Sequence, residues 1–154
     1  MKTKVYDLIE EYHSEKTSSL NHSRLLHRIC VTLEKFNHGY DVMPELQLEL
    51  NGVKVKPDIS VYPNLSIDWQ NDVIYYDVPP ITAIEILSPR QAVTDLTEKA
   101  YSVYLPSGVR SVWIVVPSMR IIQIITPDGA TTITRGQFTD PATNISLTME
   151  EIFK

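Results

Sequence analysis

Apolar positions recur with two different periods along the chain, and each change of period marks a new element. Val5, Leu8, Ile9 and Tyr12 fall at helical spacing within residues 2–15. This reads as a short amphipathic helix in an N-terminal helical extension over 1–20. The polar run Lys16–Ser23 follows and supplies N-cap residues. From Ser23 onward, Leu25, Leu26, Ile29, Cys30, Leu33 and Phe36 share one helical face. They predict a core-facing helix that stops near Asn37-His38-Gly39, where glycine accepts the C-terminal turn.

Beyond Gly39 the period shortens to two. Met43–Leu50 places Leu46, Leu48 and Leu50 on one face, and Asn51-Gly52 is a strong hairpin signal. Val53–Tyr62 reads as the return strand, bent at Pro57 because proline cannot donate to a ladder. Residues 63–80 keep no period and read as an insertion loop. Ile81–Leu87 is a short buried strand, ended by Ser88-Pro89. Gln91–Tyr104 returns to helical spacing through Val93, Leu96, Ala100, Val103 and Tyr104, until Pro106-Ser107-Gly108. Three strands follow, Val109–Val116, Arg120–Thr126 and Ala130–Thr134, and 148–153 is a short helix behind Thr148. A helix between the third and fourth strands requires a crossover, which in one sheet is right-handed. The expectation is a single α/β domain over 1–154, a mixed sheet flanked by helices.

Composition narrows the function classes. The 154 residues are 43% hydrophobic and 21% charged, the balance of a folded chain with its own core. Fourteen Lys and Arg stand against nineteen Asp and Glu, a formal net charge of −5. Such a surface does not attract polyanions broadly, so nucleic-acid contact needs a local basic patch. Lys54, Lys56, Arg90, Lys99 and Arg110 are candidates for that stripe. No apolar run approaches the ~20 residues of a membrane span, and the start of the chain lacks the apolar core of a signal peptide. The cytoplasm is the expected compartment. Cys30, the single cysteine, has no internal disulfide partner and reads as a small buried hydrophobe. Trp69 and Trp113 read as insertion packing and core. No zinc-type Cys/His cluster, P-loop or glycine-rich dinucleotide turn occurs.

Two carboxylates are out of place. Glu85 lies inside the apolar run Ile84–Leu87, where an uncompensated charge costs several kcal/mol. Asp58 heads the apolar run Ile59–Val61, on the same strand face as Ser60 and Tyr62. Carboxylates converging from two strands suit a hard cation such as Mg²⁺, which takes one or two of them and keeps several waters. Lys99, on the helix after the Glu85 strand, is the candidate cation to assist the attacking water or offset transition-state charge. Asp95 precedes it at i, i+4. His22, Glu34 and Ser88 are secondary candidates, with structural roles as the plainer readings: a helix residue, a solvated glutamate and a helix cap.

Pro57-Asp58, Glu85–Pro89 (EILSP), Asp95 and Lys99 in DLTEK, and Gly108–Pro117 (GVRSVWIVVP) together resemble the Uma-two-type family of restriction-endonuclease-like proteins, within the PD-(D/E)XK nuclease superfamily. The resemblance runs from about Asn21 to Lys154 and includes His22 and the closing SLTMEEIF. It implies a restriction-endonuclease-like fold with core order αβββαβ and extra C-terminal strands. It also implies Asp58 and Glu85 as ligands of Mg²⁺ or Mn²⁺, and hydrolysis of phosphodiester bonds in DNA. Leu87 stands where the superfamily often has lysine, which makes Lys99 the counterpart moved to the helix. A homodimer is the expected assembly, since cutting two strands suits a two-fold. The other reading is a catalytically inactive nuclease-fold module that binds protein or nucleic acid. Three features depart from the family pattern. Val116 replaces an acid, the Lys99–Gly108 spacing is one residue longer, and the usual N-terminal segment before residue 22 is not evident.

Overall fold

The computed structural model describes residues 18–36 and 38–154; the helix expected over 2–15 lies outside them. Helix α1 (Leu20–Leu33) starts at Ser19, whose side chain accepts the His22 N–H. A six-stranded mixed sheet has the order β1-β4-β5-β6-β7-β8. Its strands are β1 (Tyr40–Pro44), β4 (Ile59–Pro63), β5 (Thr82–Ile86), β6 (Ser111–Val116), β7 (Ile121–Thr126) and β8 (Gly129–Ile133). A hairpin, β2 (Leu48–Leu50) and β3 (Val53–Val55), stands apart, and β9 (Gln137–Thr139) pairs with β10 (Ser146–Thr148). Helix α2 (Val93–Lys99) crosses from β5 to its parallel neighbour β6, and α3 (Met149–Ile152) follows β10. All other neighbours in the large sheet are antiparallel.

β5 and β6 are buried along their whole length, so the period-two pattern of both is covered on both faces. On one face Ile59, Val61, Ile84, Ile86, Trp113 and Val115 pack against Leu25, Ile29 and Leu33 of α1. Phe138, Leu147, Met149 and Ile152 complete that core. On the other face Ala83, Val112, Ile114 and Val116 meet Leu96, Ala100 and Tyr104 from the α2 side and Leu48 and Leu50 from the hairpin. Glu85 alternates with Ile84 and Ile86 and therefore belongs to this second face.

The expected strand Met43–Leu50 is two strands in different sheets. Pro44 ends β1, and Glu45 turns with φ 54° before the chain resumes at β2. The expected return strand splits likewise at Pro57 into β3 and β4. The Asn51-Gly52 turn forms as expected, with φ of 50° and 80°, as a hairpin with two positive-φ residues requires. β9 and β10, three residues each, carry too little pattern to be read from sequence.

The 63–80 segment is anchored to the sheet edge. Leu65 N–H donates to Asp41, Tyr62 O–H donates to the Val78 carbonyl, and Tyr76 exchanges backbone bonds with Gln47 and Glu49. Trp69, at 91% exposed, does not pack into the insertion as expected, whereas Trp113 is core at 1%. Trp69 lies between Asp68 and Gln70, in a polar turn that offers it no apolar partner.

Candidate active site

One residue beyond the Ile59–Ile84 pair of β4 and β5 lie Asp58 and Glu85. The antiparallel register thus sets the two carboxylates opposite each other at the C-terminal end of β5. Asp58 is held at both oxygens. Oδ2 accepts the Ile86 N–H at 2.7 Å, replacing a ladder rung, and Oδ1 lies 3.1 Å from His22 Nε2. Its backbone carbonyl accepts from Glu45. Pro57 fits here, since β3 must end and the chain must turn into β4.

Glu85 is fully buried. Its Oε2 accepts from Lys99 Nζ at 3.0 Å and from the Tyr104 hydroxyl at 2.9 Å. Burial, then the charges and hydrogen bond of Glu85 and the charge of Asp58, push the Tyr104 phenol well above its ordinary value. It therefore remains a protonated donor. From sequence, Tyr104 reads as a core residue only. The available signal was its polar tip on the same helix stripe as the Lys99 turn.

Lys99 and Tyr104 reach one oxygen because of local helix geometry. Five residues span about 1.4 turns of an α-helix, which would send the two side chains to different faces. From Ala100 to Tyr104, however, the chain forms a π-helical turn, and Leu105 N–H donates to the Ala100 carbonyl five residues back. The wider turn brings residue i+5 back over residue i. Both donors thus meet on Glu85.

His22 joins this group through Asp58. Its Nδ1 is buried without a hydrogen-bond partner among the described residues. Asp95 does not join it: its Oδ2 accepts the Ala92 N–H and caps α2. Ser88 is buried in the β5–α2 turn, where it exchanges hydrogen bonds with Gln91; the N-cap of α2 is Ala92. Glu34 sits at the C-terminal end of α1, about 18 Å along the axis from His22. Of the cations offered from sequence as a basic stripe, Lys99 is in the site, and Lys54 and Arg110 lie apart from it. Lys54 lies over the Tyr75 ring, and Arg110 is beside Ile81 at the opposite end of β5. Val116, where the family pattern has an acid, is buried in the second core.

Among the described residues no group of three or more His, Cys, Asp and Glu is placed to hold a metal. The donor set present is instead two carboxylates on adjacent strands, which is what Mg²⁺ takes when water and substrate phosphate fill its remaining positions. Asp58 and Glu85 fit that ion by number and type of donor.

The model of the Uma2 family, described as "Putative restriction endonuclease", matches residues 5–152. The chain belongs to the Uma2 family. No curated protein matches it. Among solved structures, this Uma2 chain is similar to a crystal structure of a "putative nuclease belonging to DUF820" from Anabaena variabilis ATCC 29413. The two share 18% identity and a TM-score of 0.76, over 90% of this chain and 83% of the other. At that identity the likeness is one of fold. Family and fold together support a nuclease. Among the described residues no helix of the Uma2 chain is long and apolar enough to cross a membrane.

Proposed function

We propose that the protein is a divalent-metal-dependent nuclease that hydrolyses phosphodiester bonds in DNA. The carrying observation is the register that faces Asp58 with Glu85 while Lys99 donates to Glu85. Asp58 and Glu85 would hold Mg²⁺ or Mn²⁺. When bound, the ion supplies Lewis-acid polarisation of the phosphate and a lowered pKa for its water. The Ile86 N–H and His22 keep the Asp58 carboxylate in place. Tyr104 keeps Glu85 in place, which frees Lys99 to offset negative charge as the phosphate is attacked. A homodimer, measurable by light scattering, belongs to the same proposal as the arrangement that cuts two strands.

Calorimetric titration of Mn²⁺ and Mg²⁺ into the wild type and a folded Glu85→Ala variant tests the site. Glu85→Gln serves as a closer isostere. Binding in the wild type and loss in both variants is the expected result. No binding in the wild type, or equal binding in the variants, overturns the assignment. One observation favours the non-catalytic module. Fully buried Glu85 already has Lys99 and Tyr104 on one oxygen, a pairing that is self-sufficient without metal. That reading expects no metal binding and a less stable Glu85→Gln variant, because Lys99 loses its buried counter-charge.

A further inference from the structure

The acidic chain concentrates cations on one side of the site. A cleft at the C-terminal end of β5 is lined by Ser88, Gln91, Asn21 and Pro117. Asn21 and Pro117 also line the adjoining cleft, which contains Arg24, Arg120 and Lys154. Arg120 and Lys154 carry the surface onward into a third cleft with Arg135 and Glu150. Shared walls thus set the three clefts side by side, and together they form a channel. It begins three residues beyond Glu85 and next to His22, whose ring meets Asp58.

Among the described residues, the side chains of four cations and one carboxylate, Glu150, line this channel in a chain of net charge −5. Glu150 is engaged with the Gly136 N–H. Arg24 donates one N–H to the Lys154 carbonyl, and a guanidinium has five. Arg24, Arg120 and Arg135 are exposed. The 63–80 loop, which leaves β4 and enters β5 at the ends away from Asp58 and Glu85, carries Asp68, Asp72 and Asp77 and no Lys or Arg. A polyanion is therefore repelled by the loop and attracted to the clefts.

We propose that this channel is the path of the DNA phosphate backbone, with Arg24, Arg120 and Arg135 contacting phosphates that lead to Asp58, Glu85 and Lys99. Guanidinium groups suit this because their planar fork matches a phosphate and is weakly hydrated. The direction of the path rests on the nuclease reading; the binding surface does not.

The test is fluorescence anisotropy of labelled duplex DNA with metal withheld, across a salt series. It compares the wild type, Arg120→Gln/Arg135→Gln and Lys54→Gln/Arg110→Gln. The two double variants change net charge equally, and all four substituted cations are exposed, so folding is preserved. The expected result is a salt slope lower by about 2 in Arg120→Gln/Arg135→Gln. Binding there falls roughly tenfold or more at about 0.1 M salt. The Lys54/Arg110 control stays near the wild type. Equal effects in the two double variants overturn the path, as does a wild type that binds no duplex. Binding of an RNA strand alone overturns the assignment to DNA. Failure of the nuclease reading shows separately, as absent metal binding with the arginine dependence intact.

Discussion

Glu85 has no exposure to solvent and two donors on one oxygen, so its charge depends on Lys99 and Tyr104. Such a carboxylate was legible from sequence as a misfit in an apolar strand, and its need for a cation pointed to Lys99. The tyrosine was not legible, because a helix stripe of apolar and aromatic residues looks the same whether or not a hydroxyl meets a charge. Tyr104→Phe removes one charge-assisted bond and keeps the ring. It is expected to lower stability by about 1.5–3 kcal/mol in urea unfolding. If Asp58 and Glu85 hold metal, it also weakens Mn²⁺ binding by about 10–100-fold. Unchanged affinity would leave Lys99 alone as the group that positions Glu85. His22 was a secondary candidate from sequence, and only packing brings its ring to Asp58.

At the scale of elements, α1, the Asn51-Gly52 hairpin, the strands from β5 to β8 and the crossover helix all followed from periodicity. The failures occurred where a non-local pairing overrode a continuous pattern. The run Met43–Leu50 alternates throughout, yet its first part pairs with β4 and its last part with β3. The π-turn is a second such case, since apolar spacing over one turn does not distinguish i→i+5 from i→i+4 bonding. It predicts tolerance to shortening. Deleting exposed Ser102 leaves four residues from Lys99 to Tyr104, which an ordinary α-helix keeps on one face. The variant is expected to fold with stability within about 1 kcal/mol of the wild type, since π-turns are typically local bulges in α-helices. A collapse of cooperative unfolding on deletion would show that the π-turn is required for the core itself.

Across the whole molecule, Asp140 joins segments far apart in the chain. Its Oδ1 accepts from Ser111 and Trp113, and its Oδ2 accepts from Thr82 and from the backbone and hydroxyl of Thr143. These partners lie on β5, β6 and the turn before β10, so one buried carboxylate fastens the C-terminal segment under the central strands. Asp140→Asn turns an amide N–H₂ toward one of these donor sets. A loss of about 3–5 kcal/mol is expected by denaturant titration, with the metal site intact once folded. A loss below about 1 kcal/mol would mean that water replaces the missing acceptor. No sequence signal marked Asp140 beyond its place in a Pro- and Thr-containing turn.

The sequence by itself determined the alternation of helices and strands, the α/β class, the family resemblance and the two carboxylates with their lysine. These are local matters: a side chain's period, its propensity, or a charge placed among apolar neighbours. Only the tertiary structure decided which strands pair, that Tyr104 and His22 complete the carboxylate group, and that the cations gather along α1 and the Arg120 turn. Those facts depend on contacts between residues tens of positions apart. Their closure depends on the register of β4 against β5 and on the packing of α1 and α2 against opposite faces of the sheet. Any one segment leaves that geometry open, because the same apolar stripe packs equally well against several partners.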